Sequence, residues 1–353
     1  MPANRFRIAS VTKPITAMAI LHLIDTGQLT LDTKVYDLLK SQYPLQPNLG
    51  PLAPGVDQIT VRQLLNHTAG WGKEAIHYDP MFDVRQISLQ VGVPPPADRK
   101  AIIQYMWSIP PINTGQYSYA NFHYCLLGRV IEAITGEQYA SYISQMLHSH
   151  PIHLGYPPAA QGSSLLQGRL LGETRYFDYP GAPLKTSVFP PYPTWVPDPY
   201  GGFYLENMDS HGGWVLSTID LLKFMKGVFE GNFLTPSTMN DVTTNRVPTG
   251  QGFDYGLGWG LTQTGSGFNW FHTGSLPGTT SIIFRTKWSD GSDVCWAALL
   301  NSRSANHDTE IDQDLDIWGA MQTLPSLPNP IFLGLPWQSQ FLDPDTYQQI
   351  LYF

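Results

Sequence analysis

Apolar residues cluster at helical spacing over residues 10–27, where Ile15, Met18, Ala19, Leu21, His22, Leu23 and Ile24 supply a broad surface. Pro14 falls in the first turn, where a missing N–H costs little, and Gly27 suits the stop. The pattern predicts a helix there and a short one over 60–66, ending at Asn66-His67-Thr68-Ala69-Gly70. Further helical runs cover 121–135, closed by Gly136, then 137–148, and 218–229 with Asp220 near its start. The pattern then changes. Residues 256–263, 268–272, 279–287 and 293–300 are short aromatic or β-branched runs, separated in part by Gly265-Ser266-Gly267 and Ser289-Asp290-Gly291. Such runs predict an antiparallel meander. Residues 308–323 return to helix. Helices first, sheet later and a closing helix predict an α+β fold with a helical region beside an antiparallel sheet.

Composition narrows the classes. The chain has 353 residues, a net charge of −8 and only 14% charged residues, against a typical value of about 25%. Their place is taken by 16 Phe, 18 Tyr, 10 Trp, 32 Gly and 30 Pro. That describes a rigid, loop-rich globular protein. Without a basic excess or a Lys/Arg cluster it does not fit nucleic-acid binding. No apolar stretch is long enough to span a membrane. The start MPANRFRIAS lacks the apolar core of a secretory signal, so a cytoplasmic location is the default expectation. Cys125 and Cys295 sit in apolar runs and are expected to be buried free thiols. No zinc pattern is present, and His148, His150 and His153 fall in one bend that is not expected to hold a metal.

Residues 151–205 stand apart. Ten prolines alternate there with ten aromatics, including Tyr176, Phe177, Tyr179, Trp195, Tyr200 and Phe203. A stretch this long without periodicity is either disordered or functional, and so many aromatics disfavour disorder. It is expected to be an ordered wall or lid.

Three short patterns carry candidate chemistry. In Ser10-Val11-Thr12-Lys13, a serine at a helix N-terminus gains the free N–H groups, and a lysine one turn on can serve as its base. In Tyr119-Ala120-Asn121, a tyrosine beside a cation favours phenolate and can act as general base, while Asn121 can hold the lysine and a substrate carbonyl. In His272-Thr273-Gly274-Ser275, a strand glycine lets a substrate backbone approach. The N–H groups of Ser275 and Ser10 can form an oxyanion hole, and His272 can add a switchable charge. Each pattern is weak alone; a strand histidine is more often structural.

Taken in order, Ser-x-x-Lys, Tyr-x-Asn and His-Thr-Gly resemble the serine β-lactamase and penicillin-binding-protein superfamily, in its class C-related, esterase-like branch. Phe6-Arg7-Ile8-Ala9-Ser10, Leu64 to Gly70, Tyr117 to Asn121, His211-Gly212-Gly213-Trp214 with Ser217 to Leu221, and Phe271 to Gly278 all agree with it. The resemblance implies a β-lactamase/transpeptidase-like fold with the active site between sheet and helical region. It divides the chain into a discontinuous sheet region, 1–20 and 206–353, and a mostly helical region, 21–205. It implies an acyl-enzyme on Ser10, proton transfer through Lys13 and Tyr119, substrate and oxyanion contacts from Asn121, His272, Gly274 and Ser275, and neither metal nor cofactor. The superfamily also places a helix and strands before the nucleophile. Here only nine residues precede Ser10, so the sheet is expected to lack those strands and to show an open edge unless the C-terminal run 332–353 covers it.

The family's β-lactamases usually carry lysine where this chain has His272. With a histidine mostly neutral at pH 7, strong selection for an anionic substrate is not expected. Trp71, Trp195, Tyr200, Phe203 and Trp214 are expected to wall an apolar pocket. The expected function is a carboxylesterase or acyltransferase acting on a small ester or amide. The alternatives are a β-lactamase or a D-aminopeptidase/DD-peptidase-type hydrolase and, in a different class, an impaired scaffold that keeps the fold.

Overall fold

The computed structural model describes residues 4–155, 158–265, 267–287, 293–303 and 348–352. Its helices are α1 (Thr12–Asp25), α2 (Val35–Leu39), α3 (Val61–Leu65), α4 (Lys73–Ile76), α5 (Val84–Val91), α6 (Arg99–Met106), α7 (Asn121–Thr135), α8 (Tyr139–His148), α9 (Thr218–Phe229) and α10 (Pro236–Thr244). Residues Thr12 to Leu21 of α1 are all buried. A helix that is apolar nearly all round belongs in the interior, and α1 packs against α7, α8 and α10. Local chemistry sets the starts of two helices. Thr60 and Gln63 form a capping box for α3, as Ser217 and Asp220 do for α9, each satisfying backbone N–H groups that a helix start leaves free.

The short strands β1 (Phe6–Arg7), β2 (Ala160–Gln161) and β5 (Trp214–Leu216) form a three-stranded sheet in the order β1-β5-β2. Strands β3 (Lys185–Thr186) and β4 (Trp195–Val196) make a separate hairpin. The large antiparallel sheet consists of β6 (Val247–Pro248), β7 (Asp254–Tyr255), β8 (Gly260–Thr264), β9 (Gly267–Leu276), β10 (Thr279–Lys287), β11 (Asp293–Leu300) and β12 (Gln348–Tyr352), in the order β12-β11-β10-β9-β8-β7-β6. The meander read from the sequence is therefore present. The expected helix over 308–323 lies outside the described residues. The open edge expected of this sheet is occupied: β12 pairs along β11 from Trp296↔Tyr352 to Leu300↔Gln348.

Side chains of β9 alternate between two faces. Trp270 and Leu276 enter the helical core, whereas Phe271 joins Ile282, Phe284, Trp296 and Ala298 in a second cluster. β8 pairs with β9 only as far as Phe271. Among the described residues, the edge of His272 to Leu276 away from β10 thus has no strand partner. The turn that holds Ser10 packs here, since η1 (Ala9–Val11) contacts both β9 and β10.

Candidate active site

Ser10 lies in η1, a 3₁₀ turn that leads into α1. Ala9 before it adopts φ 46°, a left-handed conformation uncommon for a residue with a Cβ. The turn is held by Ile8 N–H on Trp214 O (2.9 Å) and by Ser281 Oγ on Ile8 O (2.7 Å). Ser10 is left partly exposed while its neighbours are buried.

A buried amine and a phenol converge on its hydroxyl. Lys13 Nζ is 3.0 Å from Ser10 Oγ, and Tyr119 O–H donates to the same oxygen at 2.8 Å. Lys13 is fully buried and also donates to Asn121 Oδ1 (2.8 Å) and His211 O (2.9 Å). Burial holds its ammonium well below the ordinary lysine range, with Asp79 opposing the shift. A neutral amine has two N–H groups and one lone pair. In that form Asn121 and His211 would take the two N–H groups, and the lone pair would face the Ser10 hydroxyl. Asn121 is itself oriented by its Nδ2–H bond to Asp79 Oδ2 (2.6 Å). Asp79 also accepts from Met81 N–H, and burial raises its carboxyl.

Two electrostatic expectations are corrected. A cation beside Tyr119 was to favour phenolate; instead burial drives the Tyr119 phenol well above its ordinary value, against the opposing pull of its Ser10 bond. Burial thus works against both the ammonium and the phenolate, so the cation does not favour phenolate here. Nor is His272 a charge switch. It is 5% exposed, and burial pushes it down to about 3. Its Nδ1 faces Thr273 O at 2.6 Å and its Nε2 faces Tyr255 O–H at 2.9 Å. The carbonyl requires Nδ1–H, so Nε2 accepts from the tyrosine, and the ring has no donor left for a substrate.

Gly274 has a use other than the expected one. A Cβ there would lie 2.7 Å from Ile8 O and 2.9 Å from Ser10 N. The space is filled by the Ser10 turn rather than left for substrate. The glycine lets β9 approach Ser10 closely enough for the Ser10 and Ser275 backbones to line one cavity.

That cavity has a volume of about 360 Å³ and is lined by Ser10, Asn121, His272, Thr273 and Ser275, by the rings of Tyr117, Tyr119, Phe253, Tyr255 and Phe271, and by Gln251 and Gly260. None of the five expected wall residues lines it. Trp71 is in the core, its indole N–H on Ile109 O (2.9 Å). Trp214 is buried on β5 beside Tyr139. Trp195 is 63% exposed on the β3-β4 hairpin. Tyr200 and Phe203 pack instead around Arg7, whose guanidinium lies 4.3 Å over the Tyr176 ring, 5.5 Å from Tyr200 and 5.9 Å from Phe203. The physical reason is that fully buried cation. It requires aromatic faces and carbonyls, and it takes those of Pro199 and Ser163, so the 151–205 segment is drawn to the back of the nucleophile strand.

Sequence reasoning missed Asp79, Tyr117, Gln251, Phe253, Tyr255 and Phe271 as site residues. Asp79 belongs to no motif. The run Gln251-Gly252-Phe253-Asp254-Tyr255 was signalled only by its flanking glycines. Cys125 is buried as expected, whereas Cys295 is half-buried, and no metal-ligand cluster occurs among the described residues.

A serine with a buried amine and a phenol on its hydroxyl, facing an uncharged cleft beside a strand edge, has the make-up of an acyl-transfer site. The Beta-lactamase family model matches residues 2–317, and the chain belongs to that family. A penicillin-binding protein of Bacillus subtilis (strain 168) is 25% identical over 284 residues, 79% of this chain and 57% of the relative. Esterase EstB of Burkholderia gladioli is 31% identical over 153 residues, 40% of this chain and 35% of the relative. The chain thus spans between about a third and somewhat over half of these curated relatives. The D-amino acid amidase of Ochrobactrum anthropi SV3 shares the fold, with a TM-score of 0.66, 21% identity and coverage of 91% of this chain and 86% of that one. No helix among the described residues is long and apolar enough to cross a membrane.

Proposed function

We propose that this chain is a serine hydrolase that forms an acyl-enzyme on Ser10, and that it acts on neutral esters as a carboxylesterase or acyltransferase. The observation carrying the proposal is the pair of contacts on Ser10 Oγ, 3.0 Å from Lys13 Nζ and 2.8 Å from the Tyr119 hydroxyl. A serine hydroxyl needs such an adjacent base. In the proposed reaction Ser10 Oγ bonds to the substrate carbonyl carbon and its proton passes to the neutral Lys13 amine. The Ser10 and Ser275 N–H groups stabilise the oxyanion. As the C–O bond to the leaving group breaks, Tyr119 protonates the departing oxygen and regains a proton from Lys13. Water or an acceptor alcohol then loses a proton to the same pair and bonds to the acyl carbon; the Ser10 Oγ–carbon bond breaks and Ser10 takes that proton back, so the enzyme gains and loses no proton overall.

The choice of a neutral substrate is supported by the lining. Among its described residues the cavity has no Asp, Glu, Lys or Arg side chain, and His272 is held neutral. A carboxylate would enter without a cation to meet it, at a desolvation cost. Comparing p-nitrophenyl butyrate with nitrocefin tests this choice. The expected result is faster ester turnover; fast nitrocefin turnover without ester cleavage reverses it in favour of a β-lactamase or peptidase. A fluorophosphonate separates enzyme from scaffold, because a folded sample with no Ser10 adduct is a scaffold.

A further inference from the structure

Behind Tyr119 lies a buried histidine pair with no part in the proton path above. His67 and His123 are both fully buried, with their Nδ1 atoms 3.0 Å apart. Ala120 N–H also donates to His67 Nδ1, at 3.3 Å. His67 Nδ1 therefore accepts, His123 Nδ1 carries the proton between the rings, and His67 is protonated on Nε2. That Nε2 and the Nε2 of His123 have no hydrogen-bond partner. Such groups are costly to bury, and the His67 ring is enclosed by Tyr119 (centroids 4.4 Å apart), Tyr255 (4.9 Å), Tyr124 (5.2 Å) and Tyr117 (6.2 Å, edge to face).

His67 grips the loop that carries the phenol at three successive points. Its carbonyl accepts from Ser118 N–H at 2.8 Å, its ring lies against Tyr119, and its Nδ1 takes the N–H of Ala120. Asn121, which holds Lys13, follows directly. The His67 backbone is left-handed, with φ 58°, a conformation costly for a side chain of this size. Gly72 on the same turn leaves no room for a Cβ, which would fall 1.9 Å from Ser118 Oγ.

We propose that His67, backed by His123, is a positioning residue: it fixes the Tyr119 hydroxyl on Ser10 and supplies part of the ring cover around the phenol. This rests on Tyr119 being the proton carrier of the proposed reaction. Besides the four tyrosines and His123, the charged or titratable groups acting on His67 are Lys13 and His272.

The test uses two variants. His67→Asn tolerates the left-handed backbone and keeps an acceptor for Ala120, but loses the ring. His123→Leu lies on α7 without that strain and removes the donor that pins His67. Turnover of p-nitrophenyl butyrate is measured per serine titrated with a fluorophosphonate, across pH. A displacement near 1 Å lowers rate by about 10²-fold. The expected results are a loss of about 10- to 100-fold per titrated serine in His67→Asn and a smaller one in His123→Leu. Each variant should also show a fall in rate near pH 10, the ordinary phenol value, that the parent lacks. A merely structural role lowers the titratable fraction and leaves rate per serine and pH profile unchanged, which overturns the proposal. If His67→Asn does not fold, His123→Leu decides by the same criteria. If the parent titrates no serine, the serine-hydrolase proposal itself falls, and with it the role of Tyr119.

Discussion

Gly274→Ala separates a close approach needed by the protein from one needed by its substrate. The new methyl would stand 2.3 Å from Ser281 Oγ, 2.7 Å from Ile8 O and 2.9 Å from Ser10 N. Ser281 can rotate, but the other two atoms are backbone. Restoring an ordinary contact of 3.4 Å moves β9 and the nucleophile turn apart by about 0.5–0.7 Å. That gap opens between Ser10 and Ser275, whose N–H groups are the proposed oxyanion donors. Losing one such donor costs about 10²–10³ in kcat, and the partial displacement here should approach the lower figure. Overpacking a closed site also costs about 1–3 kcal/mol, so Tm should fall by a few degrees. The assay is kcat for p-nitrophenyl butyrate per titrated serine, beside a thermal melt. A variant with parental kcat and an unchanged Tm refutes the reasoning. Lowered kcat with an unchanged Tm returns Gly274 to its sequence-based role, a place where substrate approaches the strand.

Tyr119→Phe removes only the hydroxyl bonded to Ser10 Oγ at 2.8 Å. General acid–base catalysis contributes about 10²–10⁴-fold, so kcat should fall within that range while the Ser10 adduct with a fluorophosphonate still forms slowly; loss of less than about threefold contradicts the role. Acid should destabilise the fold. Burial holds His123 and His272 at about 3, below the ordinary 6.5. Unfolding restores the ordinary value, so between these two pH values the unfolded chain binds more protons and stability falls as pH falls. Tm should drop from pH 7 to pH 4, with a shallower slope in His272→Gln; equal slopes contradict the neutral assignment of that ring. Asp79→Asn should lower kcat, because Asn121 loses the carboxylate that orients it at 2.6 Å. Unchanged kcat with p-nitrophenyl butyrate removes Asp79 from the site.

The parts of the fold legible in the sequence were those set by local periodicity and end chemistry. Helix α7, the capped start of α9 at Ser217 and the β9-β10-β11 meander follow from runs of apolar residues between breakers. The convergence of Ser10, Lys13, Tyr119 and Asn121 was legible through family spacing, since 108 residues separate Lys13 from Asn121 and no periodicity spans that distance. What failed was the pocket wall. Aromatic content in 151–205 could not tell a ring that lines a cleft from one recruited by a buried cation, and the Arg7 guanidinium decided that outcome for Tyr200 and Phe203. The charge states failed for a related reason. A sequence puts Tyr119 near a cation, but burial acts on both partners and disfavours the charged form of each. The actual wall comes from Phe253, Tyr255 and Phe271; the first two belong to no motif, and Phe271 opens a family segment that gives no sign of which face its ring takes.

The central claim is a covalent acyl-enzyme on Ser10. Its most direct test is mass spectrometry of the protein quenched during turnover of p-nitrophenyl butyrate, with the modified peptide sequenced. The account expects one butyryl group on the peptide containing Ser10 and none in a folded Ser10→Ala variant, which should also lack turnover. An unmodified parent during turnover, an adduct on another residue, or ester cleavage retained by Ser10→Ala would contradict it.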